Sequence, residues 1–198
     1  DELAVVNSSE FMVCSYCGFS EVSSDFSKQK IKNHNASNGR KCLNETFFRK
    51  SIGHTFKTDV TTLSVNDYLP WEQAYSVLYS MLEGLSKAFS IERNDVDGTI
   101  DYIYSRSGNS STRFILFDTV PGGAGHVRRL GKATEEEILD VFKVSYDLVK
   151  DCHCDENTAC YSCLQNYRNQ GMHDSLERKF AVDFFDRVFY DYEKICSI

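Results

Sequence analysis

Four cysteines within twelve residues, Cys152, Cys154, Cys160 and Cys163, constrain this chain more than any other feature of its sequence. They are spaced as CxC, five residues, then CxxC. Four thiolates so close in sequence can surround one tetrahedral ion, whose charge offsets their mutual repulsion. The spacing therefore predicts a structural zinc site, with an iron–sulfur cluster or free, redox-active cysteines as alternatives. Four protein ligands leave no position for water, which argues against a catalytic zinc.

A second group of candidate ligands begins at Cys14 and Cys17, which form a CxxC turn typical of a zinc knuckle. Two ligands do not complete a site. The candidates downstream for the other two ligands are His34 and Cys42, which predicts a Cys3His site. The alternative for His34 is a solvated side chain, because it lies in a polar stretch. The segment Ser20 to Asn33 has little apolar surface to bury, so we expect it to be irregular and to need a metal for its order.

The clustering of the cysteines also indicates the cellular compartment in which the protein is found. Disulfide frameworks in secreted chains spread their cysteines widely, whereas paired CxxC units indicate thiolate metal sites in a reducing environment. We therefore expect a cytoplasmic metalloprotein. No apolar run approaches the length of a membrane span, which predicts no membrane association. The chain starts with Asp1 rather than methionine, which is compatible with its being part of a longer protein.

Charge is distributed unevenly along the chain. The formal net charge is −7, yet residues 28–50 contain seven lysines and arginines against one glutamate, a local charge of +6. This basic segment predicts a phosphate-contacting surface, in which Lys28, Lys30 and Lys32 are the first candidates. The alternative is a solvated loop.

The stretch FILFDTVPGGAGHVRRL predicts a strand, a turn and a helix. The apolar run Phe114 to Phe117 is typical of a strand that lies at the centre of a sheet and is covered on both faces. Pro121 and the glycines that follow it, as far as Gly125, require a turn, with a helix beginning near Ala124. Exposed backbone N–H groups at such a turn could hold a phosphate or a carboxylate. The alternative is a tight turn that uses glycine for close packing. The nearby cations that would assist binding are Arg128, Arg129 and Lys132.

The other segments complete a mixed α/β pattern. We predict a strand over Phe56 to Val65, a helix from Pro70 to Phe89, and a hairpin around Asp97-Gly98. Two further helices are predicted over Thr134 to Val149 and Leu176 to Ile195, the first with a capping box. The fold class is α/β, a mixed sheet with flanking helices, an N-terminal zinc knuckle over residues 1–50 and a C-terminal four-cysteine zinc module within residues 51–198.

A polar and aromatic segment follows the four cysteines. Tyr167, beside Arg168 and amide side chains, could stack on nucleic acid and form hydrogen bonds with it. The same segment, with Asn169 and His173, could instead brace the zinc loop against the rest of the fold, which we slightly favour.

Three segments together, FILFDTVPGGAGHV, CHCDENTACYSCLQNYRNQ and HDSLERKFA, resemble the MrfA zinc-binding (MZB) domain. This family is found at the C-terminus of superfamily 2 DNA helicases and in DrmB-like proteins of the DISARM anti-phage systems. The resemblance covers residues 50–190 and implies that the four clustered cysteines are the family's zinc ligands. It also implies that ATPase and unwinding activity belong to separate motor domains, and this chain contains neither a Walker A nor a DEAH motif.

The resemblance implies an accessory function. We expect a zinc-stabilised domain that helps a DNA helicase or translocase to bind or channel its strand, in DNA repair or phage defence. Its partners would be DNA and a helicase motor, in cis or as a separate subunit. The alternative is a scaffold for protein–protein interaction that does not contact DNA. A third hypothesis, an enzyme using Asp118 and His126, has no supporting triad or paired-carboxylate spacing.

Overall fold

The computed structural model describes residues 1–7, 9–105 and 110–196, and their contacts divide the chain into two compact units. The N-terminal unit is Glu2–Phe56, and the C-terminal unit is Lys57–Ile198 together with Asp1. Three small sheets and several helices confirm the predicted mixed α/β class. Among the described residues no helix combines the length and the apolar character needed to cross a membrane.

The N-terminal unit is built from short elements. Its strands are β1 Glu2–Val6, β2 Phe11–Cys14, β3 Ser20–Val22, β4 Phe47–Lys50 and β5 Gly53–Lys57, and its α-helix is α1 Lys28–Lys32. A three-stranded antiparallel sheet has β2 in its centre, between β3 and β4, and a two-stranded sheet pairs β1 with β5. The prediction that Ser20 to Asn33 is irregular is therefore wrong in part, because β3 and α1 lie within it. Ser27 starts α1 by accepting a hydrogen bond from the Lys30 N–H.

The described part of the C-terminal unit contains one antiparallel sheet and four α-helices. Its strands are β6 Val60–Val65, β7 Val96–Tyr104 and β8 Ser110–Asp118, and they lie in the order β6-β8-β7. Its helices are α2 Trp71–Phe89, α3 His126–Leu130, α4 Glu135–Lys150 and α5 Arg178–Cys196. The long helix α2 packs against β7, α4 and α5. A continuous apolar core, with Leu78, Leu82 and Phe185 among its largest fully buried side chains, fills the space between them.

Strand β8 lies at the centre of its sheet, as predicted, but its two faces differ. Phe114 and Leu116 are buried on the face toward the core, whereas Ile115 and Phe117 are only partly buried on the other. The strand therefore alternates instead of being covered equally on both faces.

The hairpin predicted at Asp97-Gly98 is wrong. Both residues lie inside the continuous strand β7, which pairs along its whole length with β8. A Cβ atom at position 98 would lie 2.8 Å from Leu78 Cδ1, so a side chain there would force Leu78 on α2 to shift. Tertiary packing, and not a turn, explains this glycine.

Other boundaries follow the sequence more closely. The strand predicted over Phe56 to Val65 is divided into β5 and β6 at Thr58, whose hydroxyl donates to the Asp118 carbonyl oxygen at 2.7 Å. Helix α2 begins directly after Pro70. The capping box is confirmed, with the Thr134 hydroxyl and the Glu137 carboxylate each accepting from the other's backbone N–H.

Candidate metal centres

The four clustered cysteines converge just beyond the C-terminal end of α4. Cys152 Sγ lies 3.5 Å from both Cys154 Sγ and Cys160 Sγ, and Cys163 Sγ lies 3.8 Å from both Cys154 Sγ and Cys160 Sγ. Sulfur atoms at the corners of a tetrahedron around zinc, each about 2.3 Å from the ion, are about 3.8 Å apart. A disulfide would bring two sulfurs to about 2.05 Å. The spacing therefore fits one tetrahedral ion held by all four sulfurs.

Backbone groups hold this cluster in shape. The N–H groups of Cys160 and Ser162 donate to the sulfurs of Cys163 and Cys160, at 3.2 and 3.4 Å. The chain then enters the apolar core at Leu164, which is fully buried. The four-cysteine loop is thus anchored directly on the core of the C-terminal unit.

Arg178 fastens the loop to two helices. Its guanidinium donates to the Val149 carbonyl oxygen at 2.9 Å and to the Cys154 carbonyl oxygen at 3.1 Å. It therefore joins the end of α4, the CxC segment and the start of α5. Sequence reasoning missed this role, because nothing local to Arg178 indicates carbonyl partners 24 and 29 residues away.

The polar segment after the cysteines divides into two groups. The Asn169 side chain is buried and donates to the Leu164 carbonyl oxygen at 2.9 Å, and His173 Nε2 lies 2.9 Å from Asn169 Oδ1. These two residues brace the loop, as the sequence slightly favoured. Tyr167 and Arg168 instead point outward, and Tyr167 is 82% exposed.

The N-terminal candidates also converge. Ligand atoms of Cys14, Cys17, His34 and Cys42 all lie within 4.8 Å of one another, and the sulfurs of Cys14 and Cys42 are 4.0 Å apart. The Asn44 amide donates to Cys14 Sγ at 3.2 Å. Four soft or borderline donors in one place are a set that suits zinc.

His34 supplies an independent observation for this cluster. The residue is 2% exposed, so it is not a solvated histidine. Its Nδ1 lies 2.7 Å from the Ile31 carbonyl oxygen, which fixes Nδ1 as the protonated nitrogen. Its Nε2 is buried and has no hydrogen-bond partner within the described part of the chain. Metal-binding histidines show this arrangement, in which one nitrogen is oriented by a carbonyl and the other binds the ion.

One cysteine in each cluster is predisposed to ionise. Burial raises the pKa of Cys14, but hydrogen bonds from the Cys17 backbone and the Asn44 side chain outweigh it and lower the pKa to about 6. At Cys160 burial again raises the pKa, but the Ser162 N–H and the neighbouring thiols outweigh it and lower the pKa to about 7. Burial raises the pKa of Cys163 well above its ordinary value. Each cluster therefore offers a thiolate at neutral pH, and an ion bound there would favour ionisation of the other thiols.

The glycine turn is occupied by a side chain of the protein itself. Asp118 is fully buried, and its carboxylate accepts hydrogen bonds from four successive N–H groups, those of residues 124–127, at 2.7 to 3.2 Å. The turn does hold a carboxylate, but an internal one, so no donor remains for a phosphate. The same bonds engage Asp118 completely and remove it as a catalytic base. We therefore abandon the hypothesis of an enzyme using Asp118 and His126.

Two of the three cations predicted near this turn, Arg128 and Arg129, have partners within the protein. Arg128 forms an ion pair with Asp59, and the Arg129 guanidinium lies 4.0 Å from the centre of the Phe89 ring. Lys132 is exposed, as is Arg168. The two arginines therefore have structural roles that the sequence did not indicate.

The basic residues of the N-terminal unit are less engaged. Lys30 pairs with Glu21 at 3.0 Å, whereas Lys28 and Lys32 are exposed and form no ion pair within the residues that the structure describes. This unit contains seven lysines and arginines and five acidic residues, which gives it a net charge of +2. Because the whole chain has a net charge of −7, the C-terminal unit has a net charge of −9. The N-terminal unit therefore has a net positive charge and the C-terminal unit a net negative one.

Comparison with known families agrees with the four-cysteine site. Residues 77–164 match the family model of the MrfA Zn-binding domain (MZB), and this range includes all four clustered cysteines. The resemblance found in the sequence is therefore confirmed for this segment.

Two individual proteins are similar to the chain over longer stretches. The Druantia protein DruE of Escherichia coli (strain UMEA 4076-1) is 25% identical over 214 residues, which cover 96% of this chain and 11% of DruE. A crystal structure of the DUF1998 helicase MrfA bound to DNA has 18% identity and a TM-score of 0.39, covering 76% of this chain and 18% of that protein. The chain thus spans only a small part of the length of either relative.

Proposed function

We propose that this chain is a zinc-stabilised accessory domain of a DNA helicase or translocase, which assists nucleic-acid binding or strand channelling in DNA repair or phage defence. The match of residues 77–164 to the MrfA Zn-binding domain is the observation that carries this proposal. The motor would be another part of the same polypeptide or a separate subunit. A cytoplasmic location fits the clustered thiols, which need a reducing compartment.

Two zinc ions are part of the proposal. Cys152, Cys154, Cys160 and Cys163 would hold one, and Cys14, Cys17, His34 and Cys42 would hold the other. Each ion would have four protein ligands and no open position, so it would connect chain segments instead of activating water. The fit rests on the sulfur spacing of the first cluster and on the buried, unpartnered His34 Nε2 of the second.

Elemental analysis of the purified chain tests the metal assignment. We expect close to two zinc ions per chain. A single ion would refute the N-terminal site, and bound iron would replace zinc in the four-cysteine site with an iron–sulfur cluster, which thiolates also bind.

We assign direct contact with DNA to the N-terminal unit. It carries the net positive charge, and Lys28, Lys32 and Lys41 are exposed on it. Two large side chains beside the candidate ligands, Tyr16 and Leu43, are 83% and 85% exposed. Lysines supply salt-dependent attraction to phosphates, and an exposed aromatic ring offers a face on which a base can stack.

Fluorescence anisotropy with labelled single-stranded and duplex DNA, at low and moderate salt, tests this contact. We expect binding that weakens as salt rises, because lysine–phosphate contacts release counterions. If neither DNA binds in a salt-dependent way, alone or with the motor present, direct contact is excluded.

The charge of the C-terminal unit favours a second candidate function, that of a protein-interaction scaffold held together by its metal sites. A net charge of −9 repels nucleic acid and suits a basic protein partner. Deleting the domain from its parent complex separates the two functions. An unchanged DNA affinity would support the scaffold, and a reduced affinity would support the accessory DNA-binding domain.

A further inference from the structure

A groove on the C-terminal unit lies between β6, the first half of α4 and the second half of α5. Its volume is about 760 Å³. Its floor is formed by two buried side chains of the core, Met81 and Phe114. The groove therefore lies directly over the apolar core of this unit.

The walls of the groove are two apolar stripes at helical spacing. Ile138 and Phe142 lie four residues apart on α4, and Phe184, Val188 and Tyr192 continue at the same spacing on α5. All except Phe184 are only partly buried. Residues four apart share one face of a helix, so each helix presents part of its apolar face to the groove.

A second cavity, of about 650 Å³, extends this surface along the same two helices. Leu139 and Tyr192 line both cavities, and Phe189 and Tyr190 continue the apolar wall. The lining residues on α4 run from Glu135 to Asp147, which corresponds to about 18 Å of helix. That length matches about three turns of a docked helix.

The rim of these two cavities is acidic. The lining residues include seven carboxylates and one cation, Lys143, a net charge of −6. Asp186 already contacts the Tyr146 hydroxyl, to which Lys150 also donates at 2.7 Å. The acidic residues of the rim are Glu135, Glu136, Asp140, Asp147, Asp186, Asp191 and Glu193. A nucleic acid would be repelled here, whereas a basic segment would be attracted.

We propose that this surface, the acidic groove, is the docking site for a basic amphipathic helix of a partner protein. A helix fits because the groove lies between two helical stripes, where the side chains of a third helix can pack as ridges into grooves. Its apolar face would cover the groove, and its lysines or arginines would face the carboxylates on the rim. This surface is distinct from the basic N-terminal unit, so the inference holds whether or not that unit contacts DNA.

A designed peptide tests the acidic groove directly. The probe is a fluorescently labelled helix of 18 residues, about five turns, with leucine at i, i+3, i+4 and i+7 and lysine elsewhere. A peptide of the same composition in scrambled order is the control. We expect the full chain to bind the amphipathic peptide about tenfold more tightly than the scrambled one at low salt, because only the former presents an apolar stripe.

Two variants locate the binding. Val188→Ala removes apolar contact within the groove and should weaken binding about tenfold. Asp140→Asn with Asp191→Asn leaves the core untouched and should weaken binding about threefold at low salt, with a smaller effect at high salt. The matched control, Glu72→Gln with Glu92→Gln, removes two charges from exposed residues that do not line the groove and should leave binding unchanged.

The outcomes are distinct. The inference is wrong if the scrambled peptide binds equally well, or if the control pair weakens binding as much as the groove pair. It is also wrong if the Asp140/Asp191 pair, with an unchanged melting temperature, binds normally at low salt. Anisotropy with labelled DNA on the same variants should show no loss, so failure of the groove and failure of the DNA contact are separately visible.

Discussion

The two units differ in what their cysteine clusters contribute to folding. Among the described residues of the N-terminal unit only Cys14, His34 and Cys42 are buried, and all three are candidate ligands. In the C-terminal unit the cluster lies at the margin of a large apolar core, to which Cys163 and Leu164 belong. In the N-terminal unit a bound ion would take the structural role that a hydrophobic core has in other domains. In the C-terminal unit it would attach a loop to an apolar core that is already present.

This difference follows from what each segment can bury. A short polar segment cannot offset its conformational entropy by burying apolar area, so its folding depends on the free energy of metal binding. The helices of the C-terminal unit bury apolar stripes against a sheet and against each other. The two ligand clusters, which share only a CxxC pair, therefore differ in their importance for the folding of the two units.

Removal of metal is the strongest challenge to this comparison. After chelation we expect the N-terminal unit to unfold, because it loses binding free energy on the order of 10 kcal/mol. Hydrogen exchange should show residues 9–50 unprotected while α2 and β8 keep their protection. Equal loss of protection in both units would contradict the comparison.

Exchange of His34 sharpens the argument for the first cluster. His34→Ala removes one ligand and should abolish zinc binding and order in the N-terminal unit. His34→Cys preserves four ligands and should retain one zinc in this unit, because structural sites accept either donor. The zinc content of both variants, with near-ultraviolet circular dichroism, checks the prediction. If His34→Ala retains two zinc ions, His34 is not a ligand.

Asp118 tests whether the C-terminal unit depends on interactions other than metal. Asp118→Asn replaces a buried carboxylate, which accepts four backbone hydrogen bonds, with an amide that accepts fewer. We expect a loss of about 3 kcal/mol in the free energy of unfolding, measured with denaturant. Asp101→Asn is the control, because its ion pair with Arg113 is at the surface and should matter little. Equal effects would show that the glycine turn is not held by Asp118.

Gly98 tests the packing of α2 on the sheet. Gly98→Ala places a methyl group within 2.8 Å of Leu78 Cδ1 and should destabilise the C-terminal unit by about 1–3 kcal/mol. Gly171→Ala has open space around the new Cβ and serves as the control in the same thermal melts. A neutral Gly98→Ala would mean that α2 can move away from β7 at little cost.

The smallest expected effect concerns DNA. Lys28→Ala with Lys32→Ala should reduce the slope of log affinity against log salt by about two, because each lysine neutralises about one phosphate. Arg128→Ala should leave the slope unchanged, because Asp59 already pairs with this arginine. A larger change for Arg128 than for the lysine pair would move the DNA contact to the C-terminal unit.

Local patterns in the sequence were enough for several features. The capping box at Thr134, the start of α2 after Pro70 and the central position of β8 were predicted correctly, because each depends on residues close in sequence or on a strong apolar pattern. The four clustered cysteines were likewise grouped correctly. The loops between these cysteines are short, so few arrangements of the four sulfur atoms are possible.

The tertiary structure decided the remaining features. The Asp118 carboxylate fills the glycine turn, Gly98 lies against α2 instead of in a hairpin, and Arg178 joins the metal loop to two helices. The acidic groove likewise combines residues of β6, α4 and α5. The physical reason is common to all four. The hydrogen-bond partner of a side chain, and the side chain that packs against a glycine, lie on elements distant in sequence. The spacing of metal ligands and the start of a helix, by contrast, depend on neighbouring residues.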